Sequence, residues 1–216
     1  MKMPPHLVLF DCDGVLVDSE KITNDVLCRN LARHGLTITG TQLTDLFLGG
    51  TIMGVAERSR AMGARLPDSW VDDVYEEIFA ALDRDVTIID GIDFVLNRLD
   101  AAGIPYAVGS NGPHRKMEIT LRRTGLAPRF QGRIYSREDV AMPKPAPDVY
   151  LKAAADAGIE PACCVVIEDS PNGARAGKAA GMTCFGFAAE TPAGKLAPVC
   201  DRVFGDMGAL PDLLNL

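Results

Sequence analysis

Short apolar runs alternate with stretches of helical periodicity along most of this chain, and that alternation confines it to a narrow set of folds. Parallel strands buried on both faces read as near-continuous aliphatic runs, each followed by a crossover helix. The runs fall at Leu7–Cys12, Tyr106–Ser110, Arg133–Ser136, Cys163–Ile167, Thr183–Phe187 and Arg202–Phe204. Helical spacing is clearest at Ile92, Val95, Leu96 and Leu99, which repeat at i, i+3, i+4 and i+7, and Gly103 supplies the stop. The pattern predicts an α/β fold around a parallel sheet.

One stretch departs from the alternation. Between the first run and the helix at Ile92, about seventy residues pass with amphipathic helical spacing and no convincing strand. A single crossover needs only about a dozen residues, so the stretch reads as an all-helical cap domain inserted after the first strand. Residues 18–87 are assigned to the cap, and residues 1–17 and 88–216 to the core. Cap helices are expected at Glu20–His34, Thr41–Phe47, Met53–Met62 and Asp68–Arg84, with Gly49 and Gly50 breaking the middle.

Charge and cysteine usage limit what such a chain can bind. With 29 acidic and 22 basic residues the net charge is −7, which argues against nonspecific attraction to nucleic acid or an anionic membrane. An anionic substrate must then be drawn by a local site. The six cysteines show no C-x-x-C spacing, which suits a reducing cytoplasm, and His6, His34 and His114 are too scattered to suggest a zinc site. Leu7–Phe10 is far too short for a signal peptide or membrane span. A cytoplasmic protein is expected, a monomer or weak homodimer, with a small-molecule partner.

Chemistry-bearing residues cluster at the ends of the apolar runs. Phe10-Asp11-Cys12-Asp13-Gly14 puts two carboxylates two residues apart where a parallel strand delivers its ligand-facing loop. Such a string arises by chance in roughly one chain of this length in twenty, so its partners decide what it means. A carboxylate is a competent nucleophile toward phosphorus, and a second can protonate the leaving oxygen and then deprotonate water. Clustered carboxylates repel, so a divalent cation is the expected third party, and all-oxygen ligation points to magnesium.

Three further run ends carry such partners. Ser110-Asn111-Gly112-Pro113 places a hydroxyl and free N–H groups at a helix start, with Pro113 suited to the first helical position. Pro143-Lys144-Pro145 gives one cation a stiff mount. Glu168-Asp169-Ser170-Pro171 adds two acids as oxygen ligands, with Asp169 or Ser170 as a helix N-cap. Taken singly, each also reads as an ordinary turn. Four such strand ends on the ligand-binding side of one sheet would rarely assemble by accident.

In order and spacing these residues resemble the four signature motifs of the haloacid dehalogenase superfamily, over essentially the whole chain. The resemblance implies a Rossmann-like three-layer core, with Asp11 as nucleophile, Asp13 as general acid/base, and Ser110, Asn111, Gly112 and Lys144 around the phosphate. It implies Mg2+ held by Asp11, Asp13, Glu168 and Asp169, with Lys144 also catalytic. The helical insertion is similar to the cap of the phosphoglucomutase-like branch. An acid at Asp13 favours phosphate esters, because haloacid dehalogenases and phosphonate-cleaving relatives lack it.

Sugar-phosphate mutases of that branch carry lysine and arginine in a cap loop where this chain has Leu48-Gly49-Gly50-Thr51-Ile52, and tend to have a histidine where it has Thr23. A closer likeness, through Leu16-Val17-Asp18-Ser19-Glu20 and Lys116-Met117, is to bacterial sugar-phosphate and 6-phosphogluconate phosphatases. Gly49, Gly50 and Thr51 are then expected nearest the leaving group. The expectation is a phosphatase working through an aspartyl phosphate. The rival enzyme is a β-phosphoglucomutase-like mutase, and the rival from another class is a phosphoacceptor receiver-type domain.

Overall fold

The computed structural model describes residues 3–47 and 51–216. Its main sheet has six strands: β1 (Leu7–Phe10), β4 (Tyr106–Ser110), β5 (Ile134–Ser136), β6 (Cys164–Glu168), β7 (Thr183–Phe187) and β8 (Arg202–Phe204). They lie in the order β5-β4-β1-β6-β7-β8, and every neighbouring pair is parallel. β2 (Val17–Asp18) and β3 (Thr87–Ile88) form a separate antiparallel pair, Val17 opposite Ile88 and Asp18 opposite Thr87.

All six apolar runs are strands, with small shifts at their ends. β6 starts one residue later than the sequence suggests, because Pro161–Cys163 forms a 3-10 turn, and it runs on to Glu168, which pairs with Gly186. β1 stops at Phe10, although the Asp11 N–H still bonds the Ile167 carbonyl at 2.9 Å.

β1 is buried at every position, and its side chains feed two different clusters. Val8 and Phe10 face Ile92, Val95 and Leu96 of α5 (Ile92–Ala101) and Met117 and Leu121 of α6 (His114–Arg123). Leu7 and Leu9 face Val149, Tyr150 and Ala153 of α7 (Asp148–Ala157) and Ala174 of α8 (Pro171–Ala179). That gives the three layers, helices on both sides of one sheet, and each buried Leu or Val contributes about 1.5–3 kcal/mol. Gly177 of α8 brings its helix close to β6, where a Cβ would lie 3.2 Å from Val166.

Four helices occupy the chain between β2 and β3: α1 (Glu20–Arg33), α2 (Gly40–Phe47), α3 (Ile52–Ala61) and α4 (Trp70–Asp85). Each lies within two residues of the helix the sequence suggests. Trp70, the first residue of α4, is buried, and its indole N–H donates to Asn30 Oδ1 of α1 at 2.6 Å, so its polar edge is satisfied. α4 also reaches α6: Arg122 pairs with Asp83 at 2.8 Å, Arg115 pairs with Glu76, and the Arg115 guanidinium lies 4.8 Å from the Phe79 ring centre. Among the described residues, no helix is long and apolar enough to cross a membrane.

Candidate active site

The chain segments that follow β1, β4, β5 and β6 meet at one edge of the sheet, in a cleft of about 640 Å³ that residues of α1, α2, α3 and α4 also line. Asp11, Asp13, Ser110, Asn111, Gly112, Lys144, Glu168 and Asp169 all line it. Residues that the sequence separates by more than 150 positions therefore share one site.

Lys144 is its hub. The buried ammonium donates to Asp11 Oδ1 and to Glu168 Oε1, each at 2.6 Å, and lies 4.6 Å from the centre of the Tyr150 ring. Tyr150 Oη donates to the same Glu168 oxygen at 2.7 Å, while Ser170 fixes the other carboxylate oxygen through its hydroxyl at 3.0 Å. The loop carrying Lys144 is clamped by Asn111, whose side chain accepts from the Lys144 N–H at 2.8 Å and donates to the Lys144 carbonyl at 3.1 Å. The Asn111 amide thus positions the lysine.

Two glycines make room for the acids. Gly14 has φ +73°, and a Cβ there would sit 2.2 Å from Asp169 Oδ2. A Cβ on Gly173 would sit 1.7 Å from Glu168 Oε1, inside the carboxylate itself. Ser170 caps α8, accepting from the Gly173 N–H at 3.1 Å with Pro171 in the first turn, as one of the two N-cap readings required.

The Ser110 loop differs from the sequence expectation. Pro113 has ψ 154° and is the N-cap, so α6 begins at His114. Gly112 donates its N–H to Ser110 Oγ at 3.0 Å, which makes it an engaged donor and orients the hydroxyl.

Asp11, Glu168 and Asp169 have carboxylate oxygens within 4.8 Å of one another, all buried. Burial, helped by Glu168 and Asp13 and opposed by Lys144, pushes the Asp11 carboxyl up to about 7. Asp169 is raised well above the ordinary range by burial and by Asp11, Glu20 and Glu168, and among the described residues it makes no ion pair. Burial opposes the charge on Lys144, but Asp11 and Glu168 more than offset it and keep the ammonium protonated. Burial and mutual repulsion make full ionisation of the three carboxylates costly without a further cation beside Lys144, and an all-oxygen donor set suits a hard divalent one. Asp13 stands apart from this trio.

The family profile of the haloacid dehalogenase-like hydrolases matches residues 5–181. The chain belongs to this family. It is 28% identical over 208 residues to the 6-phosphogluconate phosphatase of Escherichia coli K12, covering 95% of this chain and 93% of that protein. Hexitol phosphatase A of the same organism is 32% identical over 187 residues, covering 86% and 83%. Among solved structures, a haloacid dehalogenase family hydrolase of Deinococcus radiodurans, with bound phosphate and sodium, is 36% identical with a TM-score of 0.82, covering 99% and 96%. Family and relatives together make this chain a phosphoric monoester hydrolase.

In this hydrolase the Asp13 carboxylate is held by two residues to which sequence reasoning gave no role. Lys116 Nζ lies 2.8 Å from Asp13 Oδ1, and Ser19 Oγ donates to the same oxygen at 2.5 Å. Burial would raise the Asp13 carboxyl, but Lys116 and Ser19 outweigh it and hold it below the ordinary value. The available signal was position: Lys116 lies in the first turn of a helix that starts at the cleft. Thr51 lines the cleft and caps α3, accepting from the Gly54 N–H at 3.2 Å. Gly49 and Gly50 lie outside the described residues.

Proposed function

We propose that this hydrolase is a Mg2+-dependent phosphatase acting on a small phosphorylated metabolite, a sugar or sugar-acid phosphate, through an aspartyl phosphate on Asp11. The observation that carries the reading is the convergence of Lys144 and three buried carboxylates on Asp11, at the strand ends where an α/β sheet binds ligands. The names of the E. coli relatives favour sugar-derived substrates.

Asp11 attacks phosphorus, an Asp11 oxygen–phosphorus bond forms, and the bond to the leaving oxygen breaks. Asp13, a carboxylate in its pairing with Lys116 and Ser19, takes up a proton as the substrate fills the cleft and gives it to that oxygen; it then takes one from the water that attacks the aspartyl phosphate, releasing inorganic phosphate and restoring Asp11. Ser110 and Lys144 hold the phosphoryl oxygens, and Asn111 keeps Lys144 in place. Asp11, Glu168 and Asp169 would hold Mg2+, which when bound supplies positive charge against the phosphoryl group. Residues 18–87 act as a cap over the cleft, moving on the β2–β3 pair and excluding bulk water during transfer.

The test is phosphate release from a panel of phosphorylated metabolites with and without Mg2+, products being resolved as free phosphate or as an isomer. Metal-dependent phosphate from sugar or sugar-acid phosphates supports the reading. An isomerised sugar phosphate would make the enzyme a mutase, and stable autophosphorylation without turnover a receiver.

A further inference from the structure

Arg137 is a cleft cation with no acid of its own. It lines the cleft, half-buried, directly after β5. Two other cations of the cleft are matched, Lys144 by Asp11 and Glu168 and Lys116 by Asp13, whereas Lys21, which also makes no ion pair among the described residues, is exposed to solvent. Among the described residues Arg137 makes no ion pair, and its one hydrogen bond is a long one, from Nη2 to Tyr75 Oη at 3.5 Å. In a chain with seven more acids than bases, such isolation is not for want of carboxylates.

The two nearest acids in sequence are already engaged. Glu138 accepts from the His114 N–H at 2.9 Å. Asp139 accepts from the Ser136 N–H at 2.7 Å and pairs with His114 at 2.8 Å. Both serve the turn and leave the guanidinium facing the cleft. The mount is firm, because Ser136 Oγ donates to the Gly112 carbonyl at 2.7 Å and ties the Arg137 turn to the Ser110 loop. Tyr75 is fixed from the other side: its ring stacks on Phe79 at 5.4 Å, and Phe79 lies under Arg115. Arg137 and Tyr75 thus reach the same space from the core and from α4.

A guanidinium presents a planar fork that matches an oxyanion, and a tyrosine hydroxyl beside it adds a neutral donor. We propose that Arg137 and Tyr75 receive a carboxylate at the far end of the leaving group, which makes the preferred substrate a phosphorylated polyhydroxy acid in place of a neutral sugar phosphate. The proposal rests on the phosphatase reading and narrows its substrate class. Since Arg137 belongs to the core and Tyr75 to α4, and the two already touch, a carboxylate bound by both strengthens an existing contact between α4 and the core.

The test compares 6-phosphogluconate with sorbitol 6-phosphate, which share a six-carbon chain and phosphate and differ at C1, carboxylate against hydroxymethyl. The corresponding 1,6-bisphosphate is the third substrate. The full-length wild type prefers the acid, and in Arg137→Met the acid-to-neutral ratio of kcat/KM falls about 10- to 100-fold, chiefly through KM. Arg137→Lys, which keeps the charge and loses the fork, recovers part of it. Where the Met variant does not fold, Tyr75→Phe gives the same direction, a ratio lower by about 3- to 10-fold.

Equal losses on acid and neutral substrates in these variants would make Arg137 structural and overturn the proposal, and so would a wild type that favours the bisphosphate over the acid. p-Nitrophenyl phosphate, with no second anion, reports on the phosphatase reading separately. If neither it nor any other substrate releases phosphate, that reading fails. Calorimetric binding of 6-phosphogluconate to wild type and Arg137→Met then decides the anion site alone: tenfold weaker binding to the variant supports it, and equal binding overturns it.

Discussion

Lys144 Nζ lies the same 2.6 Å from Asp11 Oδ1 and from Glu168 Oε1, so one ammonium holds together two carboxylates that burial would drive apart. Replacing it with methionine leaves both acids buried without a counter-charge. Removal of one partner from a buried pair costs about 3–5 kcal/mol. Lys144→Met is expected to melt well below the wild type in chelator, with part of the loss restored by millimolar Mg2+, and to be inactive in both. Equal melting temperatures in chelator would refute the hub role.

Asp11→Asn behaves in the opposite sense. The carboxylate is disfavoured by burial, so a neutral isostere is tolerated, and the variant should melt at or above the wild-type temperature in chelator. Turnover should fall by at least about a thousandfold, since the nucleophile is gone. Residual activity near wild type, with unchanged metal dependence, would exclude Asp11 as nucleophile.

Gly173→Ala tests how tightly the acidic trio is packed. A Cβ cannot coexist with Glu168 Oε1 at 1.7 Å, so Glu168 must leave both Lys144 and Tyr150. A stability loss of about 1–3 kcal/mol and a large drop in kcat are expected from urea unfolding and phosphate release. Gly194→Ala, where nothing lies within 4 Å, is the control and should be close to neutral.

Asp139 gives a pH dependence whose sign is fixed. Burial raises its carboxyl, but the Ser136 N–H and His114 outweigh that and hold it below 3.8. A depressed folded-state value means stability that is present above the unfolded value and lost as pH falls through the folded one. Asp139→Asn should therefore be less stable than the wild type above about pH 4, with the gap closing in more acid solution. Thermal melts between pH 2.5 and 6 would show this; a gap of constant size would place the effect elsewhere.

Strands were legible because a parallel sheet buried on both faces leaves a signature in consecutive residues, as in Leu7–Phe10. The catalytic loops were legible because acids and a hydroxyl follow those runs directly. β2 and β3 were not, since two residues carry no period. Ser19, Lys116 and Tyr150 also escaped assignment: each acts through a contact set by the fold, and a serine, lysine or tyrosine in a helix start looks the same whether or not it faces an acid. The Gly112 N–H looked free for a related reason, because its acceptor is a side chain whose rotamer the sequence does not fix. Arg137 gave no signal at all, its meaning lying in partners it does not have.

The β2–β3 pair brings the departure and the return of the four-helix stretch to one spot, two residues wide, beside the acidic loop. A segment whose chain leaves and returns at one spot can be lengthened or rebuilt with little disturbance to the sheet. A change of length in the four helices is thereby absorbed at the two-residue pair and at the α4–α6 contacts, and the register of the six-stranded sheet is left as it was.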